Sequence, residues 1–91
     1  MNLSIIIPTY NPRLDYLQIV LDGLRSQTLP ISQWELIVVD NKSEHALQGQ
    51  IDLSWHQQAV VIREETLGLT PARVAGFEHA RGEINILVDD D

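Results

Sequence analysis

The chain has 91 residues, 44% of them hydrophobic, which is enough for one small globular domain and too apolar for a disordered segment. Six basic residues against thirteen acidic ones give a formal net charge of −7, which weighs against nucleic acid or an anionic membrane surface as a partner, because both need clustered Lys and Arg. The absence of cysteine excludes a disulfide scaffold and a thiolate zinc site and agrees with a reducing compartment.

The elements alternate from the start. Leu3 to Ile7 is short, apolar and β-branched, as expected for a parallel strand buried on both faces, and Pro8 is expected to stop it. Asn11-Pro12 reads as a helix N-cap followed by proline at the first helical position. Leu14, Leu17, Val20, Leu21 and Leu24 then give one apolar face to a helix over roughly 12–27. Glu35 to Asp40 is a second buried strand ending in an acid, and a short helix is expected near roughly 44–51. Ala59 to Arg63 is a third strand. Thr70-Pro71 repeats the cap signal and opens a helix bearing Val74, Ala75, Phe77 and Ala80, with Gly82 placed as its C-terminal cap. Ile84 to Val88 is a fourth, buried strand. The expected order is βαβαβαβ, an α/β fold with a mostly parallel sheet between helical layers. No apolar run approaches the ~20 residues of a membrane helix, and no signal-peptide pattern opens the chain, so a cytoplasmic location is expected.

Ligands of open α/β sheets bind beyond the carboxyl ends of the strands. Those ends carry Pro8-Thr9-Tyr10-Asn11, Asp40-Asn41-Lys42-Ser43, Glu64-Glu65-Thr66 and Asp89-Asp90-Asp91. No glycine-rich phosphate loop follows the first strand. A phosphorylated ligand therefore needs another counter-charge, and a divalent cation on Asp89 and Asp91 supplies it. Carboxylate oxygens suit Mg²⁺ or Mn²⁺, and alternation along extended backbone puts 89 and 91 on one side.

Four blocks also carry a family resemblance. They are Ser4 to Asn11, Ser26-Gln27-Thr28, Trp34 to Ser43, and Ala72-Arg73 through Gly76 and Ala80-Arg81-Gly82-Glu83 to Asp91. In this order and spacing the chain resembles the opening of family 2 glycosyltransferases. The resemblance implies a three-layer, Rossmann-like GT-A fold, with residues 1–91 as its N-terminal nucleotide-sugar-binding portion, truncated at the D-x-D motif. It implies a UDP-, GDP- or dTDP-sugar donor, an acceptor hydroxyl of unknown identity, Mn²⁺ or Mg²⁺, and transfer with inversion. By position, Pro8, Thr9 and Tyr10 would border the base and ribose, and Asp40 would accept a hydrogen bond from either. Asp89 and Asp90 would lie against ribose and diphosphate, Asp91 would be the direct metal ligand together with Asp89, and Arg73 would help hold base or phosphates. The family's catalytic base lies downstream of the motif, so no catalytic residue is assigned and the 91 residues are not expected to complete a turnover alone. The full-length enzyme is a candidate for peripheral membrane contact.

Other readings stand beside these. Thr9 also reads as a turn residue, Tyr10 as packing on the first helix, Asp40 as a cap for the next segment, and Arg73 as a surface partner of Glu78. Glu64 and Glu65 read as a solvated pair. His45, His56 and His79 share no metal-ligand spacing and read as surface residues, while Trp34 and Trp55 read as packing. A non-catalytic binding or assembly module of the same fold is the alternative function. A phosphoacceptor receiver would need acids after the first strand, where Pro8-Thr9-Tyr10 stands, and a nucleotidyltransferase would need a basic Gly-rich first loop. An apolar edge or face is expected to drive self-association.

Overall fold

The computed structural model describes residues 2–90. Four strands and two helices follow one another as β1 (Leu3–Thr9), α1 (Leu14–Arg25), β2 (Trp34–Asp40), β3 (Ala59–Arg63), α2 (Leu69–His79) and β4 (Ile84–Leu87), with a single 3-10 turn at Ile31–Gln33. The four-stranded sheet has the order β3-β2-β1-β4, and every pair is parallel. One face carries Ile5, Ile7, Leu36 and Val38 against Leu17 and Leu21 of α1. The other carries Ile6, Ile37 and Val39 against Ala72 of α2. Alternating side chains along β1 and β2 thus feed two cores, which gives the expected three layers. Among the described residues, no helix is long and apolar enough to cross a membrane.

Several local expectations are corrected. β1 runs through Pro8 to Thr9, and Pro8 pairs with Val39 of β2. The reason lies in the direction of the missing N–H. Even-numbered residues of β1 bond toward β4, as in the donation from Val88 N–H to the Ile6 carbonyl, and odd-numbered ones toward β2, as in Asn41 N–H to the Thr9 carbonyl. Pro8 therefore removes a donor only on the β4 side, beyond the last β4 pair at Ile6 and Leu87, and its pairing with β2 is untouched.

No helix forms at 44–51, where the chain makes turns, so the second crossover is irregular. Asn11 does not cap α1. It has a left-handed φ of 44°, and the position before α1 is Arg13, without a side-chain cap. Asn11 instead ties two loops together. Its N–H donates to Ser43 Oγ at 2.9 Å, and its Oδ1 accepts the Glu44 N–H at 2.8 Å. α2 starts at Leu69 with Gly68, not Thr70, at the capping position.

Gly82 is not a cap either: Ala80 ends α2 in extended conformation. A Cβ at Gly82 would lie 2.6 Å from the Leu3 carbonyl carbon, so glycine is required by the close crossing of β1. α2 turns Ala72 and Gly76 inward, while Val74 and Phe77 are exposed. β4 is exposed along its length instead of buried, and among the described residues it pairs with β1 alone.

Candidate functional site

The segments after β1 and β2 pack on the face that carries Ile5 and Ile7, whereas α2, after β3, crosses on the other face and brings β4 to the far side of β1. The strand order therefore reverses between β1 and β4, which is the switch point where open α/β sheets form a crevice. At that point the Thr9 hydroxyl donates to Asp90 Oδ2. Thr9 is buried and Asp90 half-buried, so this contact is part of the sheet's carboxyl edge and not a surface pairing.

A cleft of about 260 Å³ opens beside it, lined by Pro8, Thr9 and Tyr10 on one side and by Asn41, Leu67, Gly68, Leu69 and Ala72 on the other. Tyr10 is half exposed and borders this cleft. The lining carries no charged side chain, and α2 begins at its rim, where free helical N–H groups and the helix dipole favour an anion. A larger cleft of about 370 Å³ runs beside β3, between Gln48 and Val61, away from the switch point.

Asp40 is engaged internally. It is 1% exposed; Oδ1 accepts the Ser43 N–H at 3.1 Å, and Oδ2 accepts the Leu47 N–H at 3.0 Å and Arg63 Nη1 at 2.9 Å. Burial by itself pushes this carboxyl up, but the two backbone donors, the Ser43 side chain and the Arg63 charge outweigh it and hold the group below its ordinary range. The capping alternative thus describes its contacts. The carboxylate shapes the loop 41–47 that forms in place of the expected helix. Arg63 completes the arrangement, reaching the Ser43 carbonyl at 3.0 Å and Glu65 at 2.7 Å. Glu65 is therefore paired, while Glu64 accepts the Thr66 N–H.

The remaining expected residues fall as follows. Asp89 is exposed just past β4, near the Thr9–Asp90 contact in sequence. Asp91 lies outside the described residues. Arg73 is exposed on α2 and makes no ion pair with Glu78 among the described residues. No group of three or more His, Asp or Glu side chains converges as a metal site among the described residues. His56 is a correction, since it is 3% exposed and packs edge-on to Trp34 with ring centroids 4.3 Å apart. The tryptophans pack together, as expected.

Two residues that build the site were missed. Asn41 is a buried part of the cleft wall and bonds to residues 64–68, and Arg63 holds Asp40. The signal for Arg63 was present in its position, the last residue of a strand beside one that ends in a buried acid.

A cleft at a parallel-sheet switch point, with paired polar groups at the strand ends, is where open α/β domains bind their ligands. Comparison with known proteins gives the family. Residues 4–91 match the glycosyl transferase family 2 model, and the chain belongs to that family. It is similar to the glycosyltransferase AglE of Haloferax volcanii, 34% identical over 91 residues, covering 97% of this chain and 30% of that protein. In structure it resembles S. aureus TarS, with a TM-score of 0.88 at 32% identity, covering 100% of this chain and 28% of the other. A similar match is to TarS in complex with UDP-GlcNAc, with a TM-score of 0.81 at 31% identity over all of this chain and 27% of that one. The mannosyltransferase PcManGT of Pyrobaculum calidifontis, solved with GDP-Man and Mn²⁺, gives a TM-score of 0.84 at 27% identity, covering 99% of this chain and 27% of that one. The chain thus spans less than a third of each of these relatives. These neighbours are GT-A glycosyltransferases, in agreement with the four parallel strands seen here.

Proposed function

We propose that this chain supplies the donor-binding half of an inverting glycosyltransferase, which moves a sugar from a nucleotide-diphosphate sugar to an acceptor hydroxyl with a divalent cation. The observation that carries the reading is the Thr9–Asp90 contact at the sheet's switch point, with an uncharged cleft of about 260 Å³ beside it. Pro8, Thr9 and Tyr10 would border base and ribose, with Asp40 acting through the loop that it shapes. Neighbours solved with UDP-GlcNAc and with GDP-Man support a nucleotide-sugar ligand.

The donor set fits a hard cation. Asp89 and Asp90 bring carboxylates to a place where the cleft itself offers no positive side chain for a diphosphate. Asp89 and Asp91 would hold Mn²⁺ or Mg²⁺, with Asp90 against ribose and diphosphate, and the ion when bound supplies the positive charge that stabilises the departing diphosphate. The protein's own part is to seat the base in the cleft and to present the diphosphate at the start of α2 and beside Asp89 and Asp90.

A thermal-shift panel of UDP-, GDP- and dTDP-sugars, each with and without Mn²⁺, tests the reading. A donor-specific, Mn²⁺-dependent rise in Tm is expected, and Asp91→Ala should remove it without unfolding the domain. A folded sample that responds to none of the donors would refute it. Metal-dependent binding in a longer form of the protein that never turns over would favour the non-catalytic module.

A further inference from the structure

We propose that Asn41 is a positioning residue whose side-chain amide holds the segment 64–68 as the far wall of the cleft, and that a carboxylate of the same shape cannot do so. The inference rests on the donor-cleft reading for its functional side, while the holding itself stands on geometry.

Asn41 is 4% exposed and uses its whole side chain on one segment. Nδ2 donates to the Thr66 carbonyl at 2.8 Å and to the Glu64 carbonyl at 3.3 Å, and Oδ1 accepts the Gly68 N–H at 2.9 Å. Two carbonyls on one side and an N–H on the other fix which end of the amide is which. The backbone N–H of the same residue donates to the Thr9 carbonyl at 2.8 Å. Both walls of the cleft therefore hang from Asn41, the β1 end through its main chain and residues 64–68 through its side chain.

The start of the segment is also tied, by the Glu64 N–H to the Asp40 carbonyl at 2.9 Å and by the Arg63–Glu65 pair, so the Asn41 side chain matters most at its far end. Leu67 and Leu69 are each 55% exposed yet line the cleft, so no core packing keeps them there. Gly68 between them has φ 141°, a conformation that other residues rarely adopt, and it starts α2. Release of the Gly68 N–H frees the turn that presents both leucines. A carboxylate at position 41 would face two carbonyl oxygens with nothing to donate, so it would repel the segment that the amide holds. Protonation would restore one donor.

The charged groups on the surrounding elements are Asp40 and Lys42 beside it, Arg63 and Glu64 at the end of β3, Arg73 on α2, and Asp90 across Thr9. All are present in wild type and in both variants, and Asn41→Ala, which adds no charge, serves as the control for them.

The test is Asn41→Asp in the 91-residue chain. The readouts are the Gly68 amide protection factor by NMR exchange and the affinities for UDP and GDP by calorimetry, each between about pH 4 and pH 8, so that the range reaches the ordinary aspartate pKa. At neutral pH the variant is expected to lose about tenfold or more in Gly68 protection and in nucleotide affinity. Both losses should shrink on acidification, as they do not in wild type. Asn41→Ala, which adds no charge, should lose the same protection with no recovery in acid, and it serves if the first variant does not fold. Gly68 protection within about twofold of wild type in either folded variant overturns the proposal, as does loss in Asn41→Asp that acid leaves unchanged. If wild type binds neither UDP nor GDP, the donor-cleft reading fails, and amide exchange still decides whether Asn41 holds the segment.

Discussion

Ser4 of β1 donates its hydroxyl hydrogen to Glu35 Oε2 of β2 at 2.6 Å, directly across the strand register and at the opposite end of the sheet from the cleft. Both residues are buried. The same carboxylate accepts the Arg81 N–H at 2.5 Å, and Ser4 Oγ accepts the Gly82 N–H at 2.8 Å. A polar pair in the middle of the sheet thus fastens the chain between α2 and β4. This fastening adds to the short β1–β4 ladder in holding the chain that carries Asp89 and Asp90 against β1.

Glu35→Ala leaves the Ser4 hydroxyl and the Arg81 N–H without their acceptor. A loss of about 2–4 kcal/mol is expected from two stranded donors, measured by urea denaturation. The loss should be accompanied by early exchange of the β4 amides. A loss below about 0.5 kcal/mol would mean that water replaces the carboxylate freely.

Acid should weaken the domain through Glu35 and Asp40. In Glu35 burial works to raise the pKa, but the Ser4 hydroxyl, the Arg81 N–H and its charge outweigh it, and the group is lowered, as Asp40 is. The unfolded chain then binds more protons than the folded one, so stability is fully present above about pH 4 and falls as the pH drops below that value. Urea midpoints measured between about pH 5 and pH 2.5 should decline, and less steeply in Asp40→Asn.

His56 adds a second, milder step at higher pH. Burial lowers its pKa against a smaller opposing effect of the Trp34 backbone. Its Nδ1 accepts the Gln58 N–H at 2.9 Å, a bond that protonation of that nitrogen breaks. The unfolded imidazole is again the better base, so the stability from neutral His56 is present above about pH 6.5 and is lost as the pH falls below it. Both tryptophans of the chain touch this ring, with centroids at 4.3 Å and 5.7 Å. Tryptophan fluorescence should therefore change on mild acidification in wild type and stay flat in His56→Leu.

Two glycine substitutions should have opposite signs. A Cβ at Gly76 would lie 2.5 Å from Ile6 Cγ2, in the core between α2 and β1. Gly76→Ala is expected to destabilise by about 1–3 kcal/mol, since overpacking exceeds the gain of about 1 kcal/mol in helix propensity. Gly23 of α1 has open space around it, so Gly23→Ala should stabilise by about 0.5–1 kcal/mol. Thermal midpoints that move in the same direction would contradict this account of the α2 contact.

Asp90→Asn keeps the shape of the side chain at the Thr9 contact and removes its charge. It should reduce the Mn²⁺-dependent thermal shift with a donor sugar about tenfold in apparent affinity, while Tm without metal changes by only about 2 °C or less. An unchanged metal response would remove Asp90 from the proposed site.

The strands were legible because short β-branched runs carry their own signal, and β3 was read at its observed ends. What the local pattern could not carry was long-range polar contact. Residues 44–51 have helix-like spacing, but Asp40, Asn11 and Arg63 draw this part of the chain into turns. Ile84 to Leu87 are as apolar as a central strand, and only the strand order shows that they lie at an edge. His56 is buried by Trp34, which belongs to β2 and lies 22 positions earlier in the chain. The resemblance placed Thr9 and Asp90 near each other. The role of Asn41 depends on backbone groups of residues 64–68, whose own side chains say nothing of it.

The Thr9–Asp90 contact joins residues 81 positions apart, almost the two ends of the described chain. Closing so long a loop is entropically unfavourable until β2 and α2 have already aligned β1. The crevice is therefore expected to be the last part of the domain to assemble and the first to open. A molecule bridging Thr9 and Asp90 would act late in folding, slowing unfolding more than it speeds folding.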